Sequence, residues 1–175
     1  MDNKVLVAYA TKYGATAEIA EKIGQILRDA GLIVDVVSVH RVSDLDPYRA
    51  VVLGSAVYIG GWRREAAGFL KSNEKALARR FVWLFSSGPT GEGDPSTILQ
   101  GWHFPKALQP IADRVRPCDM ALFHGAIDAD KIGFVEKWMV KNVNAPFGDF
   151  RKWGIITSWA LAIADTLKKE GMTVG

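Results

Sequence analysis

The feature that most restricts how this chain folds is a set of apolar runs that do not alternate. Residues 4–10 read Lys-Val-Leu-Val-Ala-Tyr-Ala, with no charged residue after the first. A strand with one wet face alternates polar and apolar side chains. A continuous run belongs to a strand covered on both faces, as parallel strands are. Four more such runs follow, at 32–39, 50–54, 81–85 and 120–126. Between them the apolar spacing changes from continuous to helical. Ile19, Ala20, Ile23, Ile26, Leu27 and Ala30 form one stripe, stopped by Gly31. A second helix is expected from Trp62 or Arg63 to about Asn73, and a short one over 105–112. The last carries Ile155, Ile156, Trp159, Ala160, Ile163, Ala164 and Leu167. Residues 87–101 are rich in Gly and Pro and are expected to form one long loop.

Strands alternating with helices predict an α/β fold, a parallel sheet with helices on both sides. Five strands fit the doubly wound order 2-1-3-4-5. In that arrangement a ligand sits at the carboxyl ends of strands one and three, where the winding reverses. At 175 residues, 49% apolar and 23% charged, the chain is expected to fold as one globular domain over 1–175. Its apolar runs fall far short of the roughly 20 residues of a membrane-spanning helix. Its first residues show no leader pattern. Cys118 is the sole cysteine, which excludes an internal disulfide and a cysteine zinc site and fits a reducing cytoplasm. A net charge of +3, without a basic block, gives no case for nucleic acid.

Three loops lie where the fold puts a ligand. The first is Thr11-Lys12-Tyr13-Gly14-Ala15-Thr16, which opens a helix. Helix-start N–H groups hold phosphate well, Thr11 and Thr16 add hydroxyls, and Gly14 allows close backbone approach; Lys12 is not required. The competing reading is an ordinary strand-to-helix turn capped by Thr16. The dinucleotide pattern G-x-G-x-x-G and the Walker pattern are both absent after strand one. A phospho-acceptor domain is excluded too, since Ala8 and Ala10 stand where it needs acidic residues, and Gly54-Ser55 where it needs Asp.

These loops resemble those of the flavodoxin-like family. Thr11, Gly14 and Thr16 match the family's T-x-T-G-x-T phosphate loop, with Tyr13 in place of the middle Thr. The segment Gly54-Ser55-Ala56-Val57-Tyr58-Ile59-Gly60-Gly61-Trp62 resembles the one beside the isoalloxazine ring. Ser86-Ser87-Gly88-Pro89-Thr90-Gly91 sits where the family's other flavin-edge loop lies. The resemblance implies FMN. Its phosphate would sit on residues 11–16, its ring would lie near Ser55, Ala56, Val57, Tyr58 and Trp62, and its edge would meet the loop of Ser87, Gly88, Pro89 and Thr90, with backbone N–H groups of that stretch as donors. Tyr58 and Trp62 are ring walls on this reading, and rim packing on the competing one.

Residues 127–153, between strand five and the last helix, form an insertion that an ordinary flavodoxin lacks. Phe134, Val135, Trp138, Met139 and Val143 share a helical stripe there, beside Lys131, Lys137 and Lys141. Such a face suits a membrane surface, a hydrophobic substrate, a partner, or packing as a lid on the domain itself. The insertion resembles that of the flavodoxin-type, quinone-dependent protoporphyrinogen IX dehydrogenases. That resemblance implies FMN-mediated removal of hydrogen from a porphyrinogen, a quinone acceptor, and a cytoplasmic protein associating with the inner membrane face through 131–143. A carrier passing electrons between redox proteins, and a flavin-free interaction module, remain the alternatives. His40, His103 and His124 are scattered and make no metal site. His124 is expected to be a satisfied core or rim residue, Asp128 and Asp130 to be solvated, with lining of the pocket mouth as the alternative, and Cys118 to be a small buried hydrophobe.

Overall fold

A computed structural model describes residues 2–133, 137–138, 140–141 and 145–172. In chain order the elements are β1 (Lys4–Ala10), α1 (Ala15–Asp29), β2 (Ile33–Ser38), β3 (Tyr48–Tyr58), β4 (Gly61–Trp62), α2 (Arg64–Ser72) and α3 (Glu74–Leu77). Then come β5 (Phe81–Ser87), α4 (Pro95–Ile98), α5 (Gln109–Val115), β6 (Asp119–Phe123), β7 (Ala126–Ile127), β8 (Gly148–Asp149) and α6 (Trp153–Lys169). The main sheet runs β2-β1-β3-β5-β6, all parallel, with β4 folded back antiparallel on β3. With the two-residue β4 set aside, this is the expected doubly wound order.

Both faces are covered, which is why the strand runs are continuous. Val5 and Val7 of β1 point into one core with α1 and α6, where Ile19, Ile23, Ile156 and Ile163 meet them. Leu6, Ala8 and Ala10 point into the other with Leu70, Leu77 and Ile111. The same alternation separates Val52 from Leu53 and Trp83 from Leu84.

Several boundaries depart from expectation, each for a local reason. β3 does not stop at Gly54 but runs on through Tyr58, still pairing Ser55 with Ser86 and Ala56 with Ser87. The polar Ser55 is tolerated because its hydroxyl donates to the Ala56 carbonyl and accepts from the Arg63 N–H. Gly54 is fully enclosed, and an added Cβ there would lie 2.0 Å from the Phe85 ring. The chain then reverses through Ile59 and Gly60, both at positive φ, into β4. Within 87–101, Asp94 caps a short helix, accepting from the Ser96 and Thr97 N–H groups. The helix expected over 105–112 is instead a single 3-10 turn followed by α5. The fifth strand ends at Phe123, and Ala126–Ile127 pairs antiparallel with Gly148–Asp149 across the insertion. Cys118 corrects another expectation: it is exposed. Of the insertion's stripe, Phe134, Val135, Met139 and Val143 lie outside the described residues, while Trp138 is exposed.

Candidate functional site

The first helix begins without a side-chain cap. Gly14, at φ 98°, is its N-cap, and the Glu18 N–H is bonded to the Gly14 carbonyl. In the first turn, therefore, the N–H groups of Ala15, Thr16 and Ala17 have no intrahelical acceptor. The Gly14 N–H is held by the Thr11 hydroxyl at 3.0 Å, which fixes the loop. Because Thr11 accepts there, its own proton is left to donate outward. Thr16 does not cap the helix. Its hydroxyl is buried and lies 2.9 Å from that of Ser87. The pair has two protons and uses one between them, so one remains for a third group.

These donors open on a cleft of about 150 Å³, between the first loop, Ala56–Tyr58, Ser87–Gly88 and residues 125–128. It shares Val57, Tyr58, Gly88, Ile127 and Val140 with a second cavity of about 480 Å³. That cavity is lined further by Pro89, Thr90, Ile98, Leu99 and Pro146 and is largely apolar. The floor between them is built by close backbone approach. A Cβ on Gly125 would lie 2.8 Å from the Gly88 Cα, and one on Gly88 would lie 3.0 Å from the Val57 Cβ. The arrangement suits an elongated ligand with an anion at one end and a flat apolar body at the other.

The structure brings most of the sequence-selected residues together and leaves two out. Thr11, Lys12, Tyr13, Ala15, Thr16, Ala56, Val57, Tyr58, Ser87 and Gly88 line the cleft, with Gly14 at its helix mouth. Pro89 and Thr90 line the apolar cavity. Ser55 is fully buried and locks β3 to the start of α2. Trp62 is a core residue. It is 8% exposed, donates to Ser86 at 2.8 Å, and meets the Phe104 ring edge-on. Neither lines either cavity. Lys12 extends over two rings, 5.2 Å from the Tyr58 centroid and 5.4 Å from that of Tyr13.

The expected donors at 87–90 also change. The Gly88 N–H is held by the Phe123 carbonyl and Pro89 has no N–H. The Thr90 hydroxyl is buried with no partner among the described residues, so it is one donor in that loop with a proton to give. Sequence reasoning missed Arg63, Gly125, Ile127, Ile132 and Val140. Arg63 lines the cleft while bonded to Glu65 at 2.7 Å, and its Nε is buried without a partner among the described residues. A backbone hydrogen bond and then the Arg63 guanidinium hold the Glu65 carboxyl below its usual range. Neither residue carries a motif. His124 is buried as expected, but its Nε2 lacks a partner among the described residues, and burial pushes its pKa down. No group of three His, Cys, Asp or Glu among the described residues is placed to hold a metal.

A family model described as "Flavodoxin domain" matches residues 6–151. The chain belongs to the flavodoxin domain family. A curated relative, the protoporphyrinogen IX dehydrogenase [quinone] of Escherichia coli K12, is 24% identical over 161 residues, spanning 89% of this chain and 88% of its own. Among solved structures, an archaeal flavodoxin superposes with a TM-score of 0.61 at 16% identity, covering 94% of this chain and 99% of its own. A flavodoxin of Streptococcus pneumonia TIGR4 gives 0.58 at 16% identity, covering 95% and 98%. This flavodoxin-domain protein is thereby a flavodoxin-type oxidoreductase or electron carrier, and its family indicates a flavin cofactor. No described helix is long and apolar enough to cross a membrane.

Proposed function

We propose that this protein binds FMN and uses it to oxidise a hydrophobic substrate, with a porphyrinogen as donor and a quinone as acceptor. The observation that carries this reading is the uncapped start of α1 opening on a trough that ends in an apolar cavity. The N–H groups of Ala15, Thr16 and Ala17, with the hydroxyls of Thr11 and of the Thr16–Ser87 pair, would hold the phosphate. Ala56, Val57, Tyr58 and Gly88 would flank the rest, with the Thr90 hydroxyl at the ring's edge. When bound there, FMN would supply the redox chemistry. The chain's own part is to orient the group and to keep water from its faces with Tyr58, Val57, Ile127 and Val140. Support for the substrate comes from the 24% identical relative and from the insertion, whose Val140 lines both cavities.

A carrier serving redox proteins is the second reading, and the flavodoxins whose whole length superposes on this chain favour it. The two separate on the isolated holoprotein. Quinone-coupled oxidation of a porphyrinogen without added proteins is expected. Turnover appearing only when a reductase and an acceptor protein are supplied would replace the enzyme with the carrier. A preparation without absorbance near 450 nm that refuses added FMN would remove both.

A further inference from the structure

The helix that would take a phosphate carries a carboxylate in its first turn, Glu18. Such a residue favours the helix, but its field opposes an anion at the same end. The structure answers this with Arg151, from the far end of the chain. Its side chain is 9% exposed. Nη1 donates to Glu18 at 2.5 Å and to the Ala15 carbonyl at 3.2 Å, while Nε and Nη2 donate to the Asp149 carboxylate at 2.9 and 2.7 Å. Its guanidinium also lies 4.8 Å from the centroid of the Trp153 ring. One cation thus joins β8, the start of α6 and the first turn of α1.

We infer that Arg151 is the positioning residue of the phosphate cradle, offsetting the Glu18 charge and holding the Ala15 peptide so that the helix start accepts an anion. Nothing in the T-x-T-G-x-T pattern includes it. The inference rests on the FMN reading above, and it concerns the phosphate end alone.

The contrast between FMN and riboflavin, which lacks the phosphate, tests it. Binding of each to apoprotein is followed by quenching of flavin fluorescence. Arg151→Met is expected to weaken FMN roughly five- to thirtyfold, the effect of a charge near a helix start, and to leave riboflavin unchanged. Glu18→Gln is expected to tighten FMN severalfold at low salt, again without moving riboflavin; a folding defect does not produce tighter binding. Equal loss of both ligands in Arg151→Met, or an unchanged FMN-to-riboflavin ratio in Glu18→Gln, would overturn the inference. Failure of the wild-type protein to bind either flavin would instead defeat the FMN reading itself.

Discussion

At Gly14, conformation and open space meet in one residue. Its φ is 98°, and an added Cβ would meet nothing within 4 Å. A side chain there costs backbone strain of about 1–2 kcal/mol, and on the FMN proposal it would stand at the helix start that holds the phosphate. Gly14→Val is therefore expected to lower FMN affinity more than it lowers apoprotein stability, measured by flavin titration beside urea unfolding. Thr16→Ala leaves the Ser87 hydroxyl buried without its partner, a loss of about 1–3 kcal/mol in stability, and removes a donor from the cradle. Thr90→Val works in the opposite sense. It deletes a buried hydroxyl that has no partner among the described residues, so the apoprotein is expected to gain about 1 kcal/mol while flavin affinity falls. Loss of stability in Thr90→Val would mean that the hydroxyl is satisfied in the apoprotein. At this scale the sequence was legible in part at Gly14, where glycine was expected for close backbone approach and is found at a positive φ in open space. It was illegible where a hydroxyl has several uses, as when Thr16 turned to Ser87 instead of capping the helix.

The element that matters most to the site is β3, which continues four residues past the expected end and folds into β4. That extension turns Trp62 inward. Trp62→Phe loses the bond to Ser86 and leaves that hydroxyl buried, so about 1–3 kcal/mol of stability is expected to go. Flavin affinity should hold, because the indole lines neither cavity; a matching fall in affinity would show that the ring does touch the ligand. Composition could not reveal this turn. Trp62 has the same aromatic character as Tyr58, and only the two-residue period of the hairpin sends one inward and leaves the other 44% exposed. The helix in 87–101 was hidden for a different reason. Gly and Pro dominate the segment, and the short turn depends on the Asp94 cap and Pro95 at its first position.

Across the whole molecule, strand order followed from the continuous apolar runs, whereas contacts between distant segments left no periodic trace. His124 shows how burial couples the site's surroundings to global stability. Burial first, then the Lys152 charge, lowers its pKa from 6.5, while a backbone hydrogen bond to Gly93 and the charges of Asp94 and Glu92 act the other way. The unfolded chain accordingly takes up this proton before the folded one does. Stability is expected to fall as pH drops through about 6.5, and to level off below the folded value. His124→Asn should flatten that slope between pH 7.5 and 5.5, read from urea midpoints. An unchanged slope would assign the loss to other groups.

The short β7–β8 ribbon has a consequence for how such a protein diversifies. Paired strands stand about 5 Å apart, so residues 128–147 leave and rejoin the scaffold through one narrow doorway. Replacing that loop is expected to leave the strand order in place, because none of the strands of the main sheet lies within it. On the proposed reading, a change in that segment would alter the wall that Val140 gives both cavities, while the helix start that would take the phosphate lies outside it.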